Sequence, residues 1–171
     1  MSLLQVEGLS KNFGGVQANS DISFTVDEGQ IVGMIGPNGA GKTTTFNLIS
    51  GFFPPTNGRV SFAGEDLTNT RPMKAARQGL VRTFQHTNIF SELSVFENVL
   101  TGQHIISSQY MKDAFLRQKK YLKDVEYLNE RTEEILELLE LLHVKDSLAK
   151  NLSYGNQRKL AIGIALAANP K

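Results

Sequence analysis

One octapeptide, Gly36-Pro37-Asn38-Gly39-Ala40-Gly41-Lys42-Thr43, constrains this chain more than any other feature. It fills the pattern G-x-x-x-x-G-K-[ST] at every specified position, and Thr44 adds a second hydroxyl. The run Gln30-Ile31-Val32-Gly33-Met34-Ile35 ahead of it reads as a buried strand. Thr44-Thr45-Phe46-Asn47-Leu48-Ile49-Ser50 behind it reads as the opening turns of a helix, stopped by Gly51. A strand, a glycine loop and a helix N-terminus are what phosphate binding requires. The glycines let backbone N–H groups curl around an anion without Cβ clashes, and the helix dipole adds positive potential there. Lys42 is placed to reach the β- and γ-phosphates, and the Thr43 hydroxyl to ligate Mg²⁺. The pattern calls for a nucleoside triphosphate rather than a plain glycine turn beside a surface lysine.

The rest of the chain suits an ordinary globular domain. Its 171 residues are 40% hydrophobic, enough for one sizeable core. A net charge of +1 gives no electrostatic reason to expect nucleic-acid binding. With no cysteine there is neither a disulfide framework nor a thiolate metal site, which fits a reducing compartment. The start Met1-Ser2-Leu3-Leu4-Gln5-Val6-Glu7 lacks the basic opening and long apolar run of a signal peptide. No stretch approaches the roughly 18 apolar residues of a membrane span, so direct membrane insertion is not expected.

Three compositional zones follow along the chain. In the first, Leu4 and Val6 alternate with polar neighbours, as do Ile22, Phe24 and Val26 before the turn residues Asp27-Glu28-Gly29. Arg59-Val60-Ser61-Phe62-Ala63 repeats the pattern between Pro54-Pro55-Thr56-Asn57-Gly58 and Gly64-Glu65-Asp66, so these strands are expected to be antiparallel and half-exposed. The second zone is an α/β core: the segments around the loop, a short helix near Pro72–Gln78, and a strand Leu80-Val81-Arg82-Thr83-Phe84. The third is helical and opens on Ser94-Val95-Phe96-Glu97, a capping box. Val125, Leu128, Thr132, Ile135, Leu138, Leu139 and Leu142 mark a stripe at helical spacing, with the glutamates mostly on other faces. Lys112–Lys123 is basic and the next segment acidic, both read as solvated helix surface.

Leu152-Ser153-Tyr154-Gly155-Asn156-Gln157-Arg158-Lys159-Leu160 precedes a run of small and aliphatic residues, Ala161–Ala168, ended by Asn169-Pro170. Ser153 is placed to cap that helix, and a serine with a glycine at a helix N-terminus makes a second anion site. Downstream of a phosphate loop, this segment resembles the ABC-transporter signature, usually written LSGGQ. Tyr154 stands where the first glycine is usual, which looks like the branched-chain amino acid importer subfamily, whose signature often reads L-[AS]-Y-G-Q-Q. Asn156 stands where glutamine is usual.

The resemblance covers essentially the whole chain and implies an α/β fold: a P-loop NTPase core with an N-terminal antiparallel β subdomain and a helical subdomain. The expected division is about 1–30 and 58–66 for the β subdomain, about 30–57 and 67–86 for the core, and about 87–168 for the helices. It further implies that Ser153, Tyr154, Gly155 and Asn156 of one subunit close on the phosphates held by a second ABC ATPase subunit. Gln85, after Val81-Arg82-Thr83-Phe84, matches the Q-loop, whose amide completes the Mg²⁺ shell and senses the γ-phosphate. Phe13 in Lys11-Asn12-Phe13-Gly14-Gly15 sits where the family stacks an aromatic on adenine, with Val16 lining the same pocket; packing within the sheet is the competing reading. Gly36, Pro37, Asn38, Gly39, Ala40, Gly41, Lys42, Thr43 and Thr44 would hold ATP and Mg²⁺. The segment Gln85–Leu93 lies where the family docks a transmembrane permease subunit.

The family pattern continues past the signature helix into an aliphatic strand ending in Asp-Glu, then a histidine. This chain ends at Pro170-Lys171. The resemblance therefore implies the N-terminal part of an ABC ATPase domain. The complete domain is expected to convert ATP and water to ADP and phosphate, on the cytoplasmic face of a membrane, to drive an importer of branched-chain amino acids. The chain as given is expected to be inactive or nearly so, since phosphoryl transfer depends on positioning and charge stabilisation. The alternatives are a nucleotide-binding or interaction module without turnover, and an ABC protein of DNA repair or translation. Nothing resembles the Asn-Lys-x-Asp motif of a GTPase.

Overall fold

The computed structural model describes residues 2–83, 89–104 and 118–171, with the backbone alone for 118–121. It divides into two compact units, Met1–Leu80 and Val81–Lys171.

The first unit is built on a sheet ordered β2-β1-β3-β4, in which every pairing is antiparallel. β1 (Ser2–Phe13) turns through Gly14 and Gly15 into β2 (Val16–Asp27), and β3 (Asn57–Phe62) with β4 (Glu65–Asp66) covers the other edge of β1. Period-2 alternation sets Val60 and Phe62 on the face that holds Val6, and a register shift between Val6 and Leu9, with Gly8 left-handed at φ 58°, brings Leu9 into the same core. Helix α1 (Lys42–Ile49) brings Leu48 and Ile49 to that face, and α2 (Pro72–Arg77) brings Ala75. Proline at the first position of α2 costs nothing, because that N–H has no intrahelical partner.

Two expected strands do not form. Gln30–Ile35 is irregular, with Ile31 and Ile35 98% and 97% exposed, and Leu80–Thr83 is irregular as well; Phe84 lies outside the described residues. An apolar run becomes a strand only when a neighbour takes its N–H and C=O groups. Among the described residues, no segment pairs with either one. Arg59–Ala63 forms as β3, but its last residue leaves the ladder at Ala63, which turns at φ 50°.

In the second unit, α3 (Val95–Gly102), α4 (Gln118–Leu138) and α5 (Tyr154–Ala167) pack around Val95, Val99, Ile135, Leu136, Leu141, Leu160 and Ala167. The capping box forms as the sequence implies: Glu97 N–H donates to Ser94 Oγ at 3.1 Å, and Ser94 N–H donates to Glu97 Oε2 at 2.7 Å. The Glu97 carboxyl is held below its ordinary range, first by that backbone N–H and then by the serine hydroxyl. The small residues of α3 and α5 decide how closely these helices approach. A Cβ on Gly102 would strike the Ile164 carbonyl, and one on Gly163 would lie 2.9 Å from Leu139 Cδ1.

One residue of the expected α4 stripe faces the other way. Leu138 is 72% exposed, while Leu136 is fully buried. At about 100° per residue, position 138 falls roughly 90° or more from the centre of the stripe through 128, 132, 135 and 139, and position 136 falls nearer to it. Part of Lys112–Lys123 lies outside the described residues.

Candidate functional site

The phosphate-loop sequence makes an open helix start. Gly39 and Gly41 adopt φ 85° and 80°, a region closed to most side chains, and Gly41 is the N-cap of α1. No side chain caps this helix. The N–H groups of Lys42, Thr43 and Thr44 lie in a first turn that supplies them no carbonyl, an arrangement able to receive an anion with the helix dipole behind it. Ala40 N–H donates to the Pro37 carbonyl at 3.2 Å and tightens the loop. Lys42 Nζ donates to the carbonyls of Gly36 and Pro37, both at 2.7 Å, so the ammonium already spans the loop. Thr43 is exposed and Thr44 half-buried. Gly36, Pro37 and Asn38 are exposed on the same loop.

Beneath the loop the structure adds residues that sequence reasoning missed. Thr45 is fully buried, and its hydroxyl donates back to the Gly41 carbonyl at 3.1 Å. Asn19 on β2 is 5% exposed; its Nδ2 donates to Gly41 O at 3.3 Å and to Thr45 Oγ1 at 2.8 Å. The one sequence signal was an asparagine inside an otherwise alternating strand, which strand propensity disfavours.

Phe13 and Val16 are brought together as opposite residues closing the β1–β2 hairpin. Phe13 is 45% exposed, at the sheet's end and outside its core. Its ring meets Phe53 edge-on, with centroids 5.7 Å apart and planes at 87°. Lys11 Nζ lies 5.3 Å from the Phe13 centroid and donates to the Pro54 carbonyl at 2.6 Å, which fixes the corner from a second side.

In the second unit, Ser153 caps α5: its Oγ accepts the Asn156 N–H at 3.3 Å. Gln157 Nε2 donates back to the Leu152 carbonyl at 3.2 Å. Tyr154 is 62% exposed, with the Arg158 guanidinium 4.6 Å from its ring centroid. Among the described residues, a Cβ on Gly155 would meet nothing within 4 Å. Gln85 lies outside the described residues, as does the start of the expected docking segment. Its described end, Ile89–Leu93, is pinned by the buried Asn98: Oδ1 accepts Phe90 N–H at 2.8 Å, and Nδ2 donates to Phe90 O at 2.9 Å and Ser94 O at 2.8 Å. Phe90 itself stays 55% exposed.

A glycine loop opening a helix beside an antiparallel sheet, joined to a helical unit, defines an α/β domain of the phosphate-loop class. Residues 19–171 match the family model described as ABC transporter. The chain is 38% identical over 169 residues to the high-affinity branched-chain amino acid transport ATP-binding protein LivG of Salmonella typhimurium, covering 99% of this chain and 66% of that one. The probable LivG of Methanocaldococcus jannaschii is 38% identical over 171 residues, all of this chain and 66% of its own. Among solved structures, an ATP-binding cassette of an ABC transporter in its ADP conformation matches at TM-score 0.84 and 37% identity, covering 100% of this chain and 66% of that chain. A nucleotide-free cassette matches at TM-score 0.81 and 38% identity, over 99% of this chain and 66% of its own. The chain belongs to the ABC transporter family, and it spans 66% of the length of the first relatives it matches.

Proposed function

We propose that the complete protein is the ATP-binding and ATP-hydrolysing subunit of an importer for branched-chain amino acids. The observation that carries this reading is the uncapped, left-handed glycine start of α1 with Lys42 across it, in a chain 38% identical to LivG. The amides of residues 42–44 and the Lys42 ammonium hold the triphosphate by charge-assisted hydrogen bonds. The Phe13 ring receives the adenine, with Val16 beside it. Mg²⁺ typically takes one or two protein ligands beside phosphates and waters, and the exposed Thr43 hydroxyl at the loop fits that need; Gln85 is proposed as the second. When bound, the ion neutralises charge on the phosphate oxygens.

The signature residues Ser153, Tyr154, Gly155 and Asn156 are proposed to face the nucleotide of a second cassette, so that ATP joins two such domains and its hydrolysis releases them. A permease helix docks near Ile89–Leu93, where Phe90 offers an exposed apolar contact, and the assembly sits on the inner face of the cell membrane. Among the described residues no helix is long and apolar enough to cross a membrane. The proposed division is about 1–30 and 58–66 for the β subdomain, about 30–57 and 67–86 for the P-loop core and about 87–168 for the helical subdomain, and hydrolysis belongs to the complete protein, with this span supplying the binding groups. Lys42→Ala in the complete protein is expected to abolish ATP-dependent uptake of leucine into vesicles or cells. Uptake at the unsubstituted rate would overturn the reading.

A further inference from the structure

β2 changes the side on which it presents its side chains, and the change delivers one polar residue to the phosphate loop. Ile22, Phe24 and Val26 alternate toward the core as a regular strand should. Continued unbroken, that alternation would bring Ser20 and Ala18 inward and turn Asn19 out. Instead, Leu9 pairs with Ile22 while Lys11 pairs with Asn19, so two steps along β1 oppose three along β2. The extra residue is a bulge at Ser20–Asp21, with Asp21 left-handed at φ 49°. Its freed amide is not lost: Asp21 N–H donates to Ser10 Oγ at 2.9 Å, and that hydroxyl donates to the Gly8 carbonyl at 3.2 Å. Beyond the bulge Asn19 is the inward residue, 5% exposed.

Asn19 is oriented by what it touches. The Gly41 carbonyl only accepts, so the amide nitrogen must face it, and Nδ2 does so at 3.3 Å while reaching Thr45 Oγ1 at 2.8 Å. Oδ1 is left buried with no hydrogen-bond partner among the described residues. An unpaired buried acceptor weakens a fold, and an apolar side chain of similar size would avoid it. Stability therefore gives no reason for asparagine here. The contact it makes does: a Cβ on Gly41 would lie 2.5 Å from Ala18 O and 2.8 Å from Asn19 Nδ2, so the loop's last glycine rests directly on this strand.

We propose that Asn19 is a positioning residue of the nucleotide site, re-aimed by the Ser20–Asp21 bulge to hold the Gly41 carbonyl and so keep the N–H groups of residues 42–44 directed at the phosphates. The inference rests on the nucleotide-binding reading of that loop and assigns a role within it. Asn19→Leu strands no neighbour, because Thr45 Oγ1 still donates to Gly41 O and Thr45 N–H still donates to the same carbonyl at 2.8 Å.

The test is MgATP binding by titration calorimetry, together with the melting temperature in the absence of nucleotide, for the unsubstituted protein, Asn19→Leu and Asn19→Asp. Asn19→Leu is expected to melt no lower than the unsubstituted protein yet bind MgATP about tenfold more weakly, the loss that one hydrogen bond's worth of ordering would cause. Asn19→Asp sets a carboxylate against the Gly41 carbonyl and near the phosphates, and should bind more weakly still. Full affinity in Asn19→Leu overturns the inference alone. A lower melting temperature in Asn19→Leu that accounts for the lost affinity makes Asn19 a packing residue and also overturns it. Absence of binding by the unsubstituted protein would instead overturn the nucleotide reading, and this inference with it.

Discussion

Helices α1 and α5 both begin where an anion is expected, yet their first turns are built in opposite ways. At α1 the N-cap is a left-handed glycine with no side-chain cap, so the turn leaves its amides for a ligand. At α5 the Ser153 hydroxyl already takes the Asn156 amide, leaving the first two N–H groups of the turn open. The surroundings differ as well. Gly41 is pressed against Ala18 and Asn19, whereas Gly155 meets no neighbour among the described residues. The first start is completed within its own unit. The second has free volume beside its glycine, which suits the proposed contact with another subunit's nucleotide. The two glycines thus differ in what the fold asks of them: Gly41 is required by its left-handed φ and its contact with β2, whereas nothing in the surroundings of Gly155 among the described residues requires glycine.

Four substitutions and one titration probe that contrast. The largest effect is expected for Lys42→Ala, which removes the ammonium spanning the loop; MgATP affinity should fall by about a hundredfold or more in calorimetry. Gly41→Val comes next. A β-branched residue at φ 80° with its Cβ against the Ala18 carbonyl should cost about 2 kcal/mol or more in denaturant unfolding, along with nucleotide binding. Gly155→Ala should behave in the reverse sense: helix propensity makes it neutral or up to about 1 kcal/mol more stable, while ATP-driven dimerisation by sedimentation falls. Equal destabilisation by the two glycine substitutions would break the comparison. Ser153→Ala, which removes a 3.3 Å cap bond, should cost about 0.5–1 kcal/mol without altering the affinity of a single subunit for MgATP.

The smallest effect is a pH dependence at a third helix start. Glu97 in the capping box of α3 has its carboxyl pKa depressed by the Ser94 N–H and then by the Ser94 hydroxyl. A depressed carboxyl contributes stability above its unfolded pKa and loses it as pH falls through the folded value. Exchange of the Ser94 amide, which the Glu97 carboxylate accepts, should therefore stay protected through the ordinary glutamate range and quicken only below it. The same scan on Glu97→Gln should show no such step, and a step in both would assign the change elsewhere.

The glycine loop, the capping box, the Ser153 cap and the hairpin strands were legible in the sequence because each is a local device. A few neighbouring residues set the backbone conformation and supply the hydrogen bonds that keep it. The signature segment was legible only beside the loop, through the order of motifs along the chain. What the pattern missed depends on partners far apart in sequence. Gln30–Ile35 has the composition of a strand, but strand geometry is granted by a neighbour, and none of the described segments provides one. Leu138 fits a loose count of leucines, yet its angle on the α4 axis turns it outward while Leu136 takes the core.

Asn19 marks the boundary most clearly. The sequence by itself determined that this chain carries a phosphate loop opening a helix, since four specified positions at fixed spacing suffice for that geometry. Only the tertiary structure decided what supports the loop. A single extra residue in β2 reverses the side on which Asn19 emerges, and whether a bulge forms there depends on Ser10 of the neighbouring strand accepting the Asp21 amide. Side-chain alternation is a property of one strand, but its register belongs to a pair.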